Sequence, residues 1–128
     1  MKNLFFALAT VIAILSAISI SSCKKDAPPP NQQFLGTYNG VMACSGNATD
    51  QWIVTAQPGS STAIYLYNAS AFGVQLSGTV SGNNLTIPYQ FIAIDSATFH
   101  GSGAITGSQL VLTVLDNYGD DCDFTGVK

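Results

Sequence analysis

Apolar and polar residues alternate along most of this chain, in short runs separated by Gly, Asn, Pro and Ser. Period-two alternation places successive side chains on opposite faces of a strand, and nothing beyond residue 33 repeats at helical spacing. A first strand is expected over residues 34–44, and Ser45-Gly46-Asn47 turns the chain. A second covers 51–57, with Trp52, Val54 and Ala56 on one face. Pro58-Gly59 is a strong turn dipeptide. The third, 62–68, is dense in β-formers, and Ser70 to Gly73 connects it to 74–81. There Val74, Leu76, Gly78 and Val80 oppose Gln75, Ser77, Thr79 and Ser81. After the Gly82-Asn83-Asn84 loop, Leu85, Ile87, Tyr89 and Phe91 read as the apolar face of a fifth strand. Pro88 inside it has no N–H to donate and marks an edge or a bulge. Asp95-Ser96 turns the chain into 98–105, which Gly101 and Gly103 interrupt. Gly107-Ser108 fits a two-residue hairpin turn, residues 109–115 form the most apolar strand, and 122–127 form the last.

The pattern before residue 34 is different. Met1-Lys2-Asn3 is followed by an apolar run from Leu4 to Ile20, then by Ser21-Ser22-Cys23. A positive end, an apolar segment and small residues make a secretory signal peptide, helical until removed. The segment Ile20-Ser21-Ser22-Cys23 resembles the lipobox of bacterial lipoproteins. That resemblance implies cleavage before Cys23, a diacylglyceryl thioether on its sulfur and acylation of the new amine. It also implies a membrane as partner. The run falls just short of the ~20 residues that span a bilayer, so an uncleaved anchor is one alternative and plain secretion another. With Lys24 after the lipidated residue, the outer membrane is the expected location. Ala27-Pro28-Pro29-Pro30-Asn31-Gln32-Gln33 favours extended polyproline II. Residues 1–22 are thus the signal peptide, 23–33 a tether outside the core, and 34–128 one small domain.

Composition narrows what that domain does. It has no Arg and no Glu; its only Lys is Lys128, against Asp50, Asp95, Asp116, Asp120, Asp121 and Asp123. Such an anionic domain repels phosphate backbones, which excludes nucleic acid. With Cys23 lipidated, Cys44 and Cys122 remain, and an even pair in an oxidising compartment reads as one disulfide. Their Cα atoms should then lie about 4.4–6.8 Å apart. Cys44 ends the first strand and Cys122 begins the last. If these are antiparallel neighbours, a meander of about eight strands is closed. An all-β antiparallel barrel is therefore preferred to a two-sheet sandwich. Its interior should hold Trp52, Val54, Leu76, Val80, Leu85, Ile87, Leu110, Leu112 and Val114.

Phe34-Leu35-Gly36-Thr37-Tyr38 resembles the opening of the calycin group, which includes the lipocalins, fatty-acid-binding proteins and avidin-like proteins. Gly36 and Tyr38 match its Gly-x-Trp signature, with Tyr in place of the usual Trp. The resemblance implies a lipocalin-like barrel in which this stretch plugs one end. Tyr38 should then be buried with its hydroxyl on a polar partner.

Candidate chemistry is sparse. His100 is the only histidine. No nucleophile elbow accompanies it, and geometry rather than inventory defines a triad, so no enzyme and no cofactor are expected. Asp116, Asp120, Asp121 and Asp123 are oxygen donors for a calcium ion, but without EF-hand spacing; a solvated loop is the simpler reading. Asp95-Ser96-Ala97 matches a bacterial O-glycosylation pattern, with Ser96 as acceptor. Three Asn-x-Ser/Thr sequons begin at Asn47, Asn68 and Asn84 and are discounted behind a bacterial lipobox. The eleven aromatics of residues 34–128 could fill a barrel core or line a site for a small apolar ligand. Tyr38, Trp52, Tyr67 and Phe72 are the candidates for the second role. Sequence leaves two readings: a lipid-anchored binding module, or a non-catalytic interaction lipoprotein with a solid core.

Overall fold

The computed structural model describes residues 25–45, 49–70 and 73–128. The leader, Cys23, Asn47 and Phe72 lie outside these residues. A 3₁₀ turn, Gln32–Phe34, leads into eight strands: β1 (Gly36–Cys44), β2 (Asp50–Pro58), β3 (Ala63–Tyr67), β4 (Gln75–Ser81), β5 (Asn84–Ile92), β6 (Ala97–Thr106), β7 (Gln109–Asp116) and β8 (Asp121–Val127). Each strand pairs antiparallel with the next, and β8 returns to β1, so the sheet is a closed barrel. The seam runs from Asn39 opposite Val127 to Cys44 opposite Cys122. Closure gives every strand a neighbour on both sides. Gly40 faces Gly126 in the seam, and a Cβ on Gly40 would lie 2.0 Å from the Thr125 carbonyl oxygen. The two strands approach this closely only because no side chain stands between them.

The Cys44–Cys122 disulfide forms at the last register pair of that seam. Its Cα–Cα distance is 4.0 Å, shorter than expected. The two residues stand directly opposite each other on antiparallel strands, where the ladder itself sets a short spacing.

Alternation puts one apolar face of every strand inside. The middle of the barrel is filled by a row that crosses from β5 to β1: Leu85 opposite Gly103, Gly103 opposite Leu112, Leu112 opposite Phe124, and Phe124 opposite Met42. All four large side chains in it are buried. Small and large residues interlock here. A Cβ on Gly103 would meet Leu112 Cδ2 at 2.6 Å, and one on Gly78 would meet Leu85 Cδ1 at 2.6 Å. Eight strands enclose a space that side chains can just fill, and this row fills it.

Three expectations are corrected. Tyr89 and Phe91 do not continue the inner face of Leu85 and Ile87; they are 74% and 66% exposed. The β5–β6 register shifts between Ile87 and Gln90: Pro88 and Tyr89 stand where β6 has only His100, and this one extra residue rotates the strand by one face. The β4–β5 ladder also stops at Thr79–Thr86. Beyond it the Gln90 side chain substitutes for the backbone, accepting from Ser77 N–H at 2.8 Å and donating to Ser77 O at 2.9 Å. Second, residues 34–35 precede the first strand, because Phe34 belongs to the 3₁₀ turn. Third, the tether does not stop short of the domain. Asn31 is buried, and its amide donates to Ser60 O and Ala63 O.

Candidate functional site

An antiparallel meander collects alternate connections at opposite ends, and the two ends of this barrel are built differently. At one end the 3₁₀ turn lies across the opening. Phe34 is fully buried, and the buried Tyr38 hydroxyl donates to Phe34 O at 2.8 Å. Burial pushes the Tyr38 phenol up to about 12. Lys128 Nζ donates to Gln33 O and Leu35 O at 2.5 and 2.8 Å, and lies 5.3 Å from the Tyr38 ring centre. Its own pKa is lowered by partial burial. Gln33 donates to Gly82 O at 2.6 Å, tying the turn to the β4–β5 loop. This end is closed.

The other end, the rim, carries the connections β1–β2, β3–β4, β5–β6 and β7–β8. Trp52 points inward from β2 and is half-buried at the edge of the core. Its indole N–H donates to Asn68 O at 2.7 Å, holding the β3–β4 connection. Asn68 itself adopts φ 59°, a left-handed conformation that Asn tolerates well. Ser70 follows in that connection, 1% exposed, with no partner for its hydroxyl oxygen.

Asp116 ends β7. It continues the inward phase of Leu110, Leu112 and Val114, stands opposite Phe99, and is 8% exposed. Its Oδ1 accepts from Tyr118 N–H at 2.8 Å and Asp120 N–H at 3.0 Å, which folds the β7–β8 loop back on itself. Its Oδ2 is buried without a partner. A buried acceptor left unpaired costs roughly 1–3 kcal/mol, so this oxygen is a costly feature of the rim.

The other expected positions scatter. Tyr38 lies in the plugged end, opposite Trp52 and Tyr67, so these aromatics do not form one wall. Tyr67 is half-buried at the rim end of β3, and Phe72 falls outside the described residues. The acidic loop does not converge. Asp116 turns inward, Asp120 and Asp121 are exposed, and Asp123 accepts from Thr113 Oγ1 at 2.6 Å. Among the described residues, no three His, Cys, Asp or Glu side chains are grouped to hold a metal. Ser96 is exposed in the β5–β6 connection, and its carbonyl accepts from the Tyr118 hydroxyl at 3.0 Å. His100 faces outward from β6 and stacks on Tyr89 with ring centres 4.0 Å apart. Sequence reading missed Ser70 and undervalued Asp116. The available signal for Asp116 was its phase, since it is the next inward position after Val114.

No protein-family model and no curated protein matches this chain. Solved structures do. A redesigned β-barrel superposes with a TM-score of 0.56 at 15% identity, covering 78% of this chain and 95% of its own. A second redesigned barrel, mFAP1 bound to DFHBI, gives 0.53 at 18% identity, covering 78% and 99%. These matches place the domain among closed eight-stranded β-barrels, and at this identity they speak for the fold alone.

Proposed function

We propose that this chain is a lipid-anchored, non-catalytic barrel that presents a small-molecule site at its rim. The observation that carries the reading is the asymmetry of the two ends. One end is closed by Phe34, Tyr38 and Lys128. The other has no such plug among the described residues, and carries a half-buried Trp52 on β2 and, elsewhere at the same end, buried unpartnered polar atoms of Ser70 and Asp116. Pockets for small ligands pair apolar walls with a few placed polar groups. The mid-barrel row is packed, so the ligand would sit in the upper barrel rather than pass through it. A barrel of like fold, mFAP1, holds the small molecule DFHBI.

The tether supports the direction of that site. Pro28 to Pro30 run directly into the plugged end. An acylated Cys23 would therefore hold the plug toward the bilayer and the rim away from it, on a free tether of roughly 20–25 Å if residues 23–30 extend at ~3.1 Å each. The expected location is the outer membrane. A second reading, an interaction lipoprotein, draws on the exposed Tyr89, Phe91, Ile94 and Tyr118.

Two measurements test the proposal. Cys23→Ser should release the protein from membranes or leave it unprocessed; a variant still lipid-labelled refutes the anchor. Native mass spectrometry of protein taken from its own host should show a bound small molecule. A bare chain that instead carries a protein partner favours the second reading.

A further inference from the structure

The outer wall of the barrel carries an apolar patch that no described element covers. It lies on β5, β6 and β7 where they approach the rim. The bulge leaves Tyr89 and Phe91 facing outward. Tyr89 stacks on His100 with ring planes 18° apart, and His100 stands opposite the exposed Leu115 in the next strand. Phe91 stands opposite Thr98, whose backbone N–H donates to Asn117 Oδ1 at 2.7 Å. Ile94 projects from the β5–β6 connection and is 90% exposed. Tyr118, 67% exposed, reaches across the rim to the Ser96 carbonyl. Register pairs, one ring stack and two hydrogen bonds thus join these side chains into one surface. Aromatic side chains bury 150–250 Å² each, so at these exposures the patch presents on the order of 500–600 Å². That is the upper end of what a monomer's largest patch shows, ~300–600 Å². It is also most of the ~800 Å² that each partner gives to a stable protein interface. A small molecule on this open wall would cover a fraction of it.

The border of the patch is acidic. Asp121 stands opposite Leu115 on β8, and Asp120 shares the β7–β8 loop with Tyr118; both are exposed. Asp123 is exposed at the next outward position of β8, and the half-buried Asp95 follows Ile94. The domain's one lysine, Lys128, is tied into the opposite end. We infer that this patch docks a basic protein whose contact face sets Lys or Arg around an apolar centre. Interfaces pair an aromatic core with a polar rim, and charge selects the occupant here. A second copy would bring the same aspartates against these and has no free cation on that face to offer. A surface of anionic lipid is repelled by the same border. The inference names the partner class of the interaction reading. It concerns the outer wall, so its failure leaves the small-molecule reading to its own test.

The test is photo-cross-linking of the full-length chain in its own host. The photoreactive residue p-benzoyl-phenylalanine replaces Phe91 or, as a control, Ile53. Ile53 is exposed on β2, four strands away around the barrel from β6. Light should join the Phe91 site to one protein of different sequence, and the Ile53 site to none of it. Peptide mass spectrometry of the adduct should place the bond in a stretch of the partner with net positive charge. Asp120→Asn combined with Asp121→Asn should lower the yield of that adduct at least about threefold. Ile94→Ser should lower it at least about fivefold, as loss of an apolar anchor does. All three side chains are exposed, and unchanged melting of the purified variants checks that the fold is intact. An adduct between two copies assigns the patch to self-association and overturns the inference. An adduct with lipid alone, equal adducts from Phe91 and Ile53, or no discrete adduct overturns it as well. A partner whose yield ignores the loss of the Asp120 and Asp121 charges is not selected by charge, which overturns the basic class.

Discussion

Leu85 provides the sharpest measure of how the barrel is filled. Its Cδ1 occupies the space a Cβ on Gly78 would need, at 2.6 Å, and its Cδ2 lies 3.5 Å from the Cβ position of Gly103. Leu85→Ala removes three buried carbons from a side chain that is 1% exposed. The expected cost is about 2–5 kcal/mol, transfer plus cavity. Gly78→Ala has the opposite fault. It adds a methyl where Leu85 already stands, at a cost of about 1–3 kcal/mol, partly offset by about 0.4–1 kcal/mol from a stiffer unfolded chain. The double variant places the new methyl in the space Leu85 vacated. Its loss should fall short of the sum of the singles by about 1–2 kcal/mol, within the range seen for residues in contact. Urea unfolding of all four proteins, followed by circular dichroism with the disulfide intact, gives the cycle. Additivity within about 0.5 kcal/mol would refute the interlocked row. So would a Leu85→Ala variant that loses less than about 1 kcal/mol, because a fully buried leucine in a packed wall cannot leave so cheaply.

Reducing the Cys44–Cys122 bond, which joins residues 78 positions apart, should lower stability by up to about 4.5 kcal/mol on chain-entropy grounds. The β-signal in far-ultraviolet circular dichroism should survive at low temperature, since the seam and core do not depend on the bond. Tyr38 supplies an alkaline transition. Its phenol titrates near 10 when unfolded and near 12 when folded, because burial disfavours the phenolate. Stability is therefore unaffected by this group below pH 10 and falls as pH rises from 10 to 12. Tyr38→Phe should flatten that segment of a melting-temperature profile; an unchanged slope would place its origin elsewhere.

Much of the barrel was legible in alternation alone. Val54, Leu76, Val80, Leu110, Leu112 and Val114 keep phase with regular ladders, so their faces follow from counting by twos. Cys44 and Cys122 added the one long-range relation that alternation lacks, the adjacency of β1 and β8. Counting failed at Tyr89 and Phe91, where one extra residue enters β5 at Pro88. The proline announces a bulge but not how many residues it absorbs. The site was less legible. Trp52 could be placed by phase and Asp116 could have been. Ser70 could not, because it lies in a connection outside any alternating strand, where no local pattern encodes burial. Tyr38 was grouped with the ligand candidates as an aromatic, yet its position beside the 3₁₀ turn makes it part of the closure.

The glycine-lined seam also sets which errors of assembly are open to this protein. Until β8 arrives, β1 presents an unpaired edge from Asn39 to Cys44, and that edge is complementary to β8 of any copy of the chain. Two molecules that exchange their last strands would each make every ladder hydrogen bond of the single barrel, as domain exchange does in general. Thermodynamics of the sheet alone hardly distinguishes the two outcomes. Covalent chemistry does, because Cys44 and Cys122 meet across this same seam. In a barrel closed on itself the bond is internal; in an exchanged pair it joins two chains. Oxidation thus records, at the moment of closure, whose strand completed whose barrel.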